Sequence, residues 1–207
     1  LADGLVAKAN DSDIVPVQSR TWVLCILSMM LTPIKALDQA LFFILNNVSH
    51  PSMDLLFKWI TCTTFWIPLY LFLFFFIKTN LGWRGLLSLS LAILIADQST
   101  SSLLKPFFAR YRPCYAPNLP PIHLVGAHIG LYGFPSSHAS NTFAFAIFFW
   151  KSLRKRYKYT YLFFPWATLI SYGRIYGGMH YPLDVICGAL LGIAIGLLSA
   201  TILSGDR

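Results

Sequence analysis

"GMHYPLDVICGALLGIAIGLLSATILS", residues 178–204, holds a membrane-length run and a reactive pair side by side. From 183 to 204 the stretch is almost wholly apolar, and a bilayer's hydrocarbon core of about 30 Å takes roughly 20 helical residues to cross. Pro182 suits the first turn of that helix, where its missing N–H is no loss. His180 and Asp184 then share one face of the opening turn. Gly188, Gly192 and Gly196 continue the Asp184 face at the same four-residue step, which suits close helix packing and turns Asp184 inward.

The rest of the chain agrees with a bilayer. At 56% hydrophobic and only 12% charged residues, the composition excludes an ordinary soluble domain. The net charge of +8 does not point to nucleic acid, because the cations flank apolar runs instead of covering one soluble face. Cys25, Cys62, Cys114 and Cys187 lack metal-ligand spacing, and Cys62 and Cys187 fall inside apolar runs, so they read as small apolar fillers.

Further spans are expected at 59–77, 85–104, 138–150 and 161–172, with 183–204 as the fifth. The second half of 85–104, "ADQSTSS", is too polar to face lipid and must look into a bundle. Two shorter apolar runs, 22–31 and 37–45, are divided by Pro33 and Lys35, and together predict a broken span or an interfacial helix. The expected fold is therefore all-α, a polytopic transmembrane bundle of five to six spans. Residues 1–20 form a polar segment expected to have little order, and 21–207 one membrane-embedded domain, with no internal repeat. The oligomeric state is left open.

Short loops rich in Lys and Arg stay in the cytoplasm. "KSLRKRYK", 151–158, is the strongest such loop, and Lys78 and Arg84 mark another. Alternation then places 105–137 and 174–183 together on the outer, extracytoplasmic side.

Three stretches there carry chemistry: "KPFFARYRP" (105–113), "PSSH" (135–138) and "GRIYGGMHYPLD" (173–184). Charges at a membrane edge are costly unless they serve a ligand. Lys105, Arg112 and Arg174 supply permanent positive charge and donors suited to phosphate. Ser136 and Ser137 begin a helix after Pro135, so backbone N–H groups and the helix dipole offer an anion cradle.

These stretches resemble the three motifs of the type-2 phosphatidic-acid phosphatase family, the membrane lipid phosphate phosphatases, in their compact bacterial form. Lys105, Arg112 and Pro113 match the first motif, Pro135, Ser136 and His138 the second, and Arg174, His180 and Asp184 the third. The resemblance implies a phosphatase working through a phosphohistidine. His180 Nε2 would attack phosphorus, Asp184 would fix the histidine tautomer, and His138 would protonate the departing lipid oxygen and then activate water. Lys105, Arg112, Arg174, Ser136 and Ser137 would hold the phosphate. Neither metal nor cofactor is called for.

The family usually has glycine where Ser137 stands and serine where Gly173 stands, so an altered cradle is expected. Asp97 is spaced i, i+4, i+8 with Ser101 and Lys105. It reads either as a residue steadying the site or as a hydrogen bond to another helix, and the second is preferred. His50, His123 and His128 read as exposed polar residues. The rival reading is a membrane protein that binds or transports lipid phosphate without turnover; a vanadate-type haloperoxidase shares the site but is soluble. The implied substrate is an amphiphile whose phosphate reaches the interface: undecaprenyl pyrophosphate, phosphatidic acid, phosphatidylglycerol phosphate or lipid A phosphate, with the lean toward a polyprenyl pyrophosphate or a glycerophospholipid phosphate.

Overall fold

The structure, a computed structural model, describes residues 17–117, 119–126 and 130–205, with the backbone alone for 17–31, 63, 204 and 205. Among the described residues every regular element is helical, apart from an isolated bridge between Tyr111 and Tyr132. The elements are α1 (Val17–Asn46), α2 (Pro51–Ile60), α3 (Ile67–Gln98), α4 (Lys105–Phe108), α5 (Ser137–Leu153), α6 (Phe163–Tyr176) and α7 (Pro182–Gly205). The chain divides into two compact units, the first ending at Gln39 and the second beginning at Ala40. That boundary falls inside α1. The helix runs through Pro33 as one element where the sequence suggested a break. A single interior proline removes one ladder bond and kinks a helix without having to end it. Of the polar segment 1–20, all but the residues from Val17 onward lies outside the description.

The expected span 59–77 is corrected. The chain is interrupted at Thr61 and Cys62 between α2 and a 3-10 turn, Thr63–Trp66, that leads into α3. A run of three threonines among residues 61–64 weakens the helix, and Pro68 suits only the first turn of a new one. Cys62 accordingly sits in this break and not within an apolar helix; its thiol meets the Thr64 hydroxyl at 2.9 Å. α2 is also absent from the expected spans. His50 caps it by accepting from Ser52 N–H, Pro51 opens it, and Asp54 and Lys58 suit the dipole at its two ends.

Among the described residues, two stretches are long and apolar enough to cross a membrane, Thr64–Phe108 and Pro182–Leu203. The first, at 45 residues, is about twice the length one crossing takes. It folds back on itself at Gly82, whose φ of 69° interrupts the helix. Only glycine adopts that conformation at little cost. Tyr70, Leu73 and Ile77 before the bend line the same cavity as Leu86, Leu89 and Ile93 after it, so α3 is a hairpin of two antiparallel halves. The expected spans 59–77 and 85–104 are thus largely the two arms of one merged element.

The centre of the bundle is α5 against α7, running parallel and in register. A Cβ on Gly188 would lie 2.4 Å from Ser136 O, one on Gly192 2.1 Å from Ser140 O, and one on Gly196 2.4 Å from Ala144 O. The three glycines let the two backbones meet at four-residue intervals, as their spacing predicts. Near the far end of this pair, Leu73, Ile77 and Leu81 of α3 pack with Phe148, Phe149, Leu153, Ala200 and Leu203. The Tyr157 hydroxyl there donates to Asn80 Oδ1 at 2.7 Å, so the basic loop after α5 and the bend of α3 share one end of the bundle. The other end carries the motif residues.

Candidate functional site

Local structure brings the three motifs together. Pro182 opens α7 with Asp184 in its first turn, fully buried. In the connection from α6, Gly178 takes a φ of +74° with the 122–124 chain pressed against it, and the N–H groups of Met179 and His180 both donate to Arg174 O at 2.9 and 3.2 Å. His180 is thereby locked to Arg174, the residue that opens the third motif. Ser136 caps α5, and its own N–H donates to Asp184 O at 2.9 Å, which ties the second motif to the third. The first motif leaves α4 through Ala109, in the left-handed region at φ 45°, and Arg112 N–H then donates to Leu131 O at 3.1 Å.

At the centre, Arg112 Nη1 lies 2.9 Å from His180 Nε2. A guanidinium has donors only, so Nε2 is the acceptor and the ring hydrogen sits on Nδ1. That nitrogen faces Asp184 Oδ2 at 3.5 Å. The same carboxylate oxygen accepts from Tyr181 N–H at 3.0 Å, and Oδ1 accepts from Arg110 Nη1 at 2.7 Å. Gly133 makes room for this crowding: a Cβ there would stand 3.1 Å from Asp184 Oδ2 and 3.2 Å from Arg112 Cγ. Burial first, then the Arg112, Arg174 and Lys105 cations, hold the His180 pKa well below the usual histidine value. Its imidazole is a neutral base presenting an Nε2 lone pair.

Lys105, Arg112, Ser137, His138, Arg174 and His180 all line one cavity of about 990 Å³. Arg112 is held from behind, its Nε donating to Gly130 O at 2.8 Å and Nη1 to Met179 O at 3.2 Å. Arg174 Nε is buried with no hydrogen-bond partner among the described residues, so this cation keeps a donor for a ligand. Ser136 and Asp184 stand back from the walls. The Ser136 hydroxyl is turned to Ala139 N–H at 3.5 Å, which leaves its side chain a helix-capping part.

The two departures from the family pattern have local explanations. Ser137 Oγ receives Lys105 Nζ at 2.6 Å and the Thr100 hydroxyl at 2.8 Å, so it seats the lysine. Lys105 reaches it from the end of a π-helical turn, Ser99–Leu104, that follows α3. At Gly173 a Cβ would meet Thr61 Cγ2 at 2.7 Å and Phe57 Cδ1 at 2.9 Å. There α2 occupies the space a family serine would need.

Asp97 accepts from Asn141 Nδ2 of α5 at 3.0 Å, the helix-to-helix bond preferred for it, and also lines the cavity beside Lys105. His123 is not the exposed polar residue expected but is half-buried. Its Nε2 lies 2.8 Å from Asp54 Oδ1, and its backbone is clasped by Asn46, whose side chain takes His123 N–H and gives to His123 O, each at 2.9 Å. Tyr176 also bonds Asp54, so the 122–126 loop is tied to α2 and α6. His128 lies outside the described residues. Arg110, Thr100, Thr61 and Asn141 were missed in the sequence. Arg110 stood in plain view as an extra cation within "KPFFARYRP", but only contact geometry separates it from Arg112.

A family model described as the PAP2 superfamily matches residues 85–206. The chain is 35% identical over 164 residues to lipid A 4'-phosphatase of Bacteroides thetaiotaomicron, covering 75% of this chain and 72% of that protein. It is 34% identical over 139 residues to undecaprenyl-diphosphatase of Sulfolobus acidocaldarius, covering 66% and 63%. Among solved structures, Aquifex aeolicus LpxE superposes with a TM-score of 0.63 at 33% identity, over 80% of this chain and 95% of that one. Likeness in sequence and in fold, extending well past the three motifs, makes this chain a member of the PAP2 superfamily and a membrane lipid phosphate phosphatase.

Proposed function

We propose that the protein removes a phosphate from the head group of a lipid on the extracytoplasmic face of the membrane, through a phosphohistidine on His180. The observation that carries this reading is the convergence of three cations and two histidines on one cavity. His180 Nε2 attacks phosphorus while Lys105, Arg112 and Arg174 hold the equatorial oxygens, where charge builds. The bond to the lipid oxygen breaks, and His138 supplies its proton. His138 then takes a proton from water, which attacks phosphorus and frees Nε2. Asp184 stabilises the ring while it is cationic, as the buried acid does in a triad.

Two smaller cavities support an amphiphilic substrate. One of about 270 Å³ runs from Ser137 and His138 to Tyr70, Asn141 and Thr142. Those last three also line an apolar cavity of about 650 Å³ between the arms of α3 and α5. The leaving oxygen must emerge on the His138 side, so the lipid body has an apolar path there.

Within the lipid class, a phosphorylated saccharolipid is favoured over a polyprenyl diphosphate or a glycerophospholipid phosphate. The lipid A 4'-phosphatase likeness is longer and covers more of both chains than the undecaprenyl-diphosphatase one. The test is inorganic phosphate release by purified protein in detergent with EDTA, from lipid A, undecaprenyl diphosphate, phosphatidylglycerol phosphate and phosphatidic acid. The highest kcat/KM is expected on lipid A. A clear preference for another lipid reassigns the substrate, and release from none of them supports the binding-protein reading.

A further inference from the structure

We propose that Arg110 is a positioning residue for the reaction, holding one oxygen of Asp184 so that the other stays ionised and turned toward His180. The inference rests on the reading of His180 as nucleophile and Asp184 as its orienting acid. Asp184 has no exposed surface, and its side chain sits against Arg110 at 2.7 Å with Arg110 itself 21% exposed. A carboxylate taken wholly out of water stays charged only when paired. Arg110 supplies that pairing from outside the cavity, whose lining residues include Arg112 but not Arg110.

The arginine is itself held in place. Its guanidinium lies over the Tyr181 ring at 4.3 Å, and Phe42 packs edge-on to that ring at 5.3 Å. Gly133 N–H donates to Arg110 O at 2.8 Å, which fixes the backbone that carries it. Arg110 and Tyr181 thus grip opposite oxygens of one carboxylate, the first by its side chain and the second by its N–H. Rotation of the carboxyl group away from His180 would break both bonds. The division of labour within "ARYR" follows: Arg112 faces the reacting nitrogen and Arg110 faces the acid behind it.

The test is a double-mutant cycle on the full chain in detergent, with Arg110→Ala, Asp184→Asn and the double variant assayed on one lipid phosphate. Arg110→Ala is expected to lower kcat by about 10–100-fold with KM little changed, by analogy with the outer partners that orient metal-binding histidines. In the Asp184→Asn background the same change should cost less than about twofold, because there is no carboxylate left to hold. Methylguanidinium added to Arg110→Ala should recover part of the rate, and Arg110→Lys should retain more activity than Arg110→Ala. Equal losses in both backgrounds, or a rise in KM in place of the fall in kcat, would overturn the proposal. A variant that merely failed to fold would show no rescue and an early melting transition, and Arg110→Lys then decides. Full activity in Asp184→Asn alone would instead remove the underlying reading of Asp184.

Discussion

Arg112 Nη1 rests 2.9 Å from His180 Nε2, so the guanidinium covers the lone pair proposed to attack phosphorus. A bound phosphate would compete for that guanidinium and free the nitrogen as it arrives. Arg112→Met should therefore separate two properties. Phosphatase activity should fall by about 10²–10³, the cost of one donor to developing charge. His180 should at the same time react faster with diethylpyrocarbonate, read by mass spectrometry of the modified peptide. Slower modification would mean that Arg112 activates the ring and does not cover it.

The depressed pKa of His180 sets a pH dependence. The folded value lies below the unfolded value of about 6.5. Between the two, the unfolded chain binds a proton that the folded chain does not. This group's contribution to stability is thus complete above about pH 6.5 and declines as pH falls toward the folded value. Histidine NMR titration of the ligand-free protein in detergent should show the His180 ring still neutral at pH 6. A midpoint at or above 6.5 would contradict the burial argument.

Gly173→Ser restores the residue the family usually carries, yet it should damage this protein. The new Cβ would approach Thr61 Cγ2 at 2.7 Å and Phe57 Cδ1 at 2.9 Å. Overpacking of this kind typically costs about 1–3 kcal/mol. A lower melting temperature is expected, relieved in part by pairing the change with Phe57→Leu. Unchanged stability with improved turnover would show that α2 yields easily.

What could be read in advance was periodic or paired. The Gly188, Gly192 and Gly196 step announced a close helix contact on the Asp184 face, but nothing in it names α5 as the partner. The His180 and Asp184 spacing across Pro182 announced a helix start with both groups on one face. The break at Cys62 was hidden, because "TCTTFWIP" runs straight into the apolar stretch that follows and only its threonines and Pro68 hinted otherwise. Arg110 was hidden for a different reason. Two arginines separated by a single tyrosine look alike in sequence, and their separate jobs arise from partners 74 and 68 residues away.

If the apolar cavity reached from His138 through the smaller one receives the lipid body, filling it should discriminate between substrates. Ser90 lines that cavity and is exposed, so Ser90→Trp adds bulk without disturbing buried packing. For a long-chain lipid phosphate, kcat/KM should drop about tenfold, the worth of roughly two buried methylenes. p-Nitrophenyl phosphate, which needs no apolar site, should be turned over at the parent rate. Equal losses on both would indicate a disturbed active site instead of a blocked lipid path.

Sidedness decides which pool of lipid the enzyme meets. The basic loop and the bend of α3 share one end of the bundle, and the motif cavity lies at the other. Five cations within 151–158 favour retention of that loop in the cytoplasm. In a background with all four cysteines replaced, a cysteine at Lys155 should resist a membrane-impermeant maleimide in intact cells and react after permeabilisation. A cysteine at Pro120, exposed between the first two motifs, should react in both conditions. The fewer cations near the cavity bias topology less because they are spread over two connections and are proposed to be matched by phosphate. Labelling in the reverse order would put the cavity in the cytoplasm, and its substrate would then be a lipid not yet carried across the membrane.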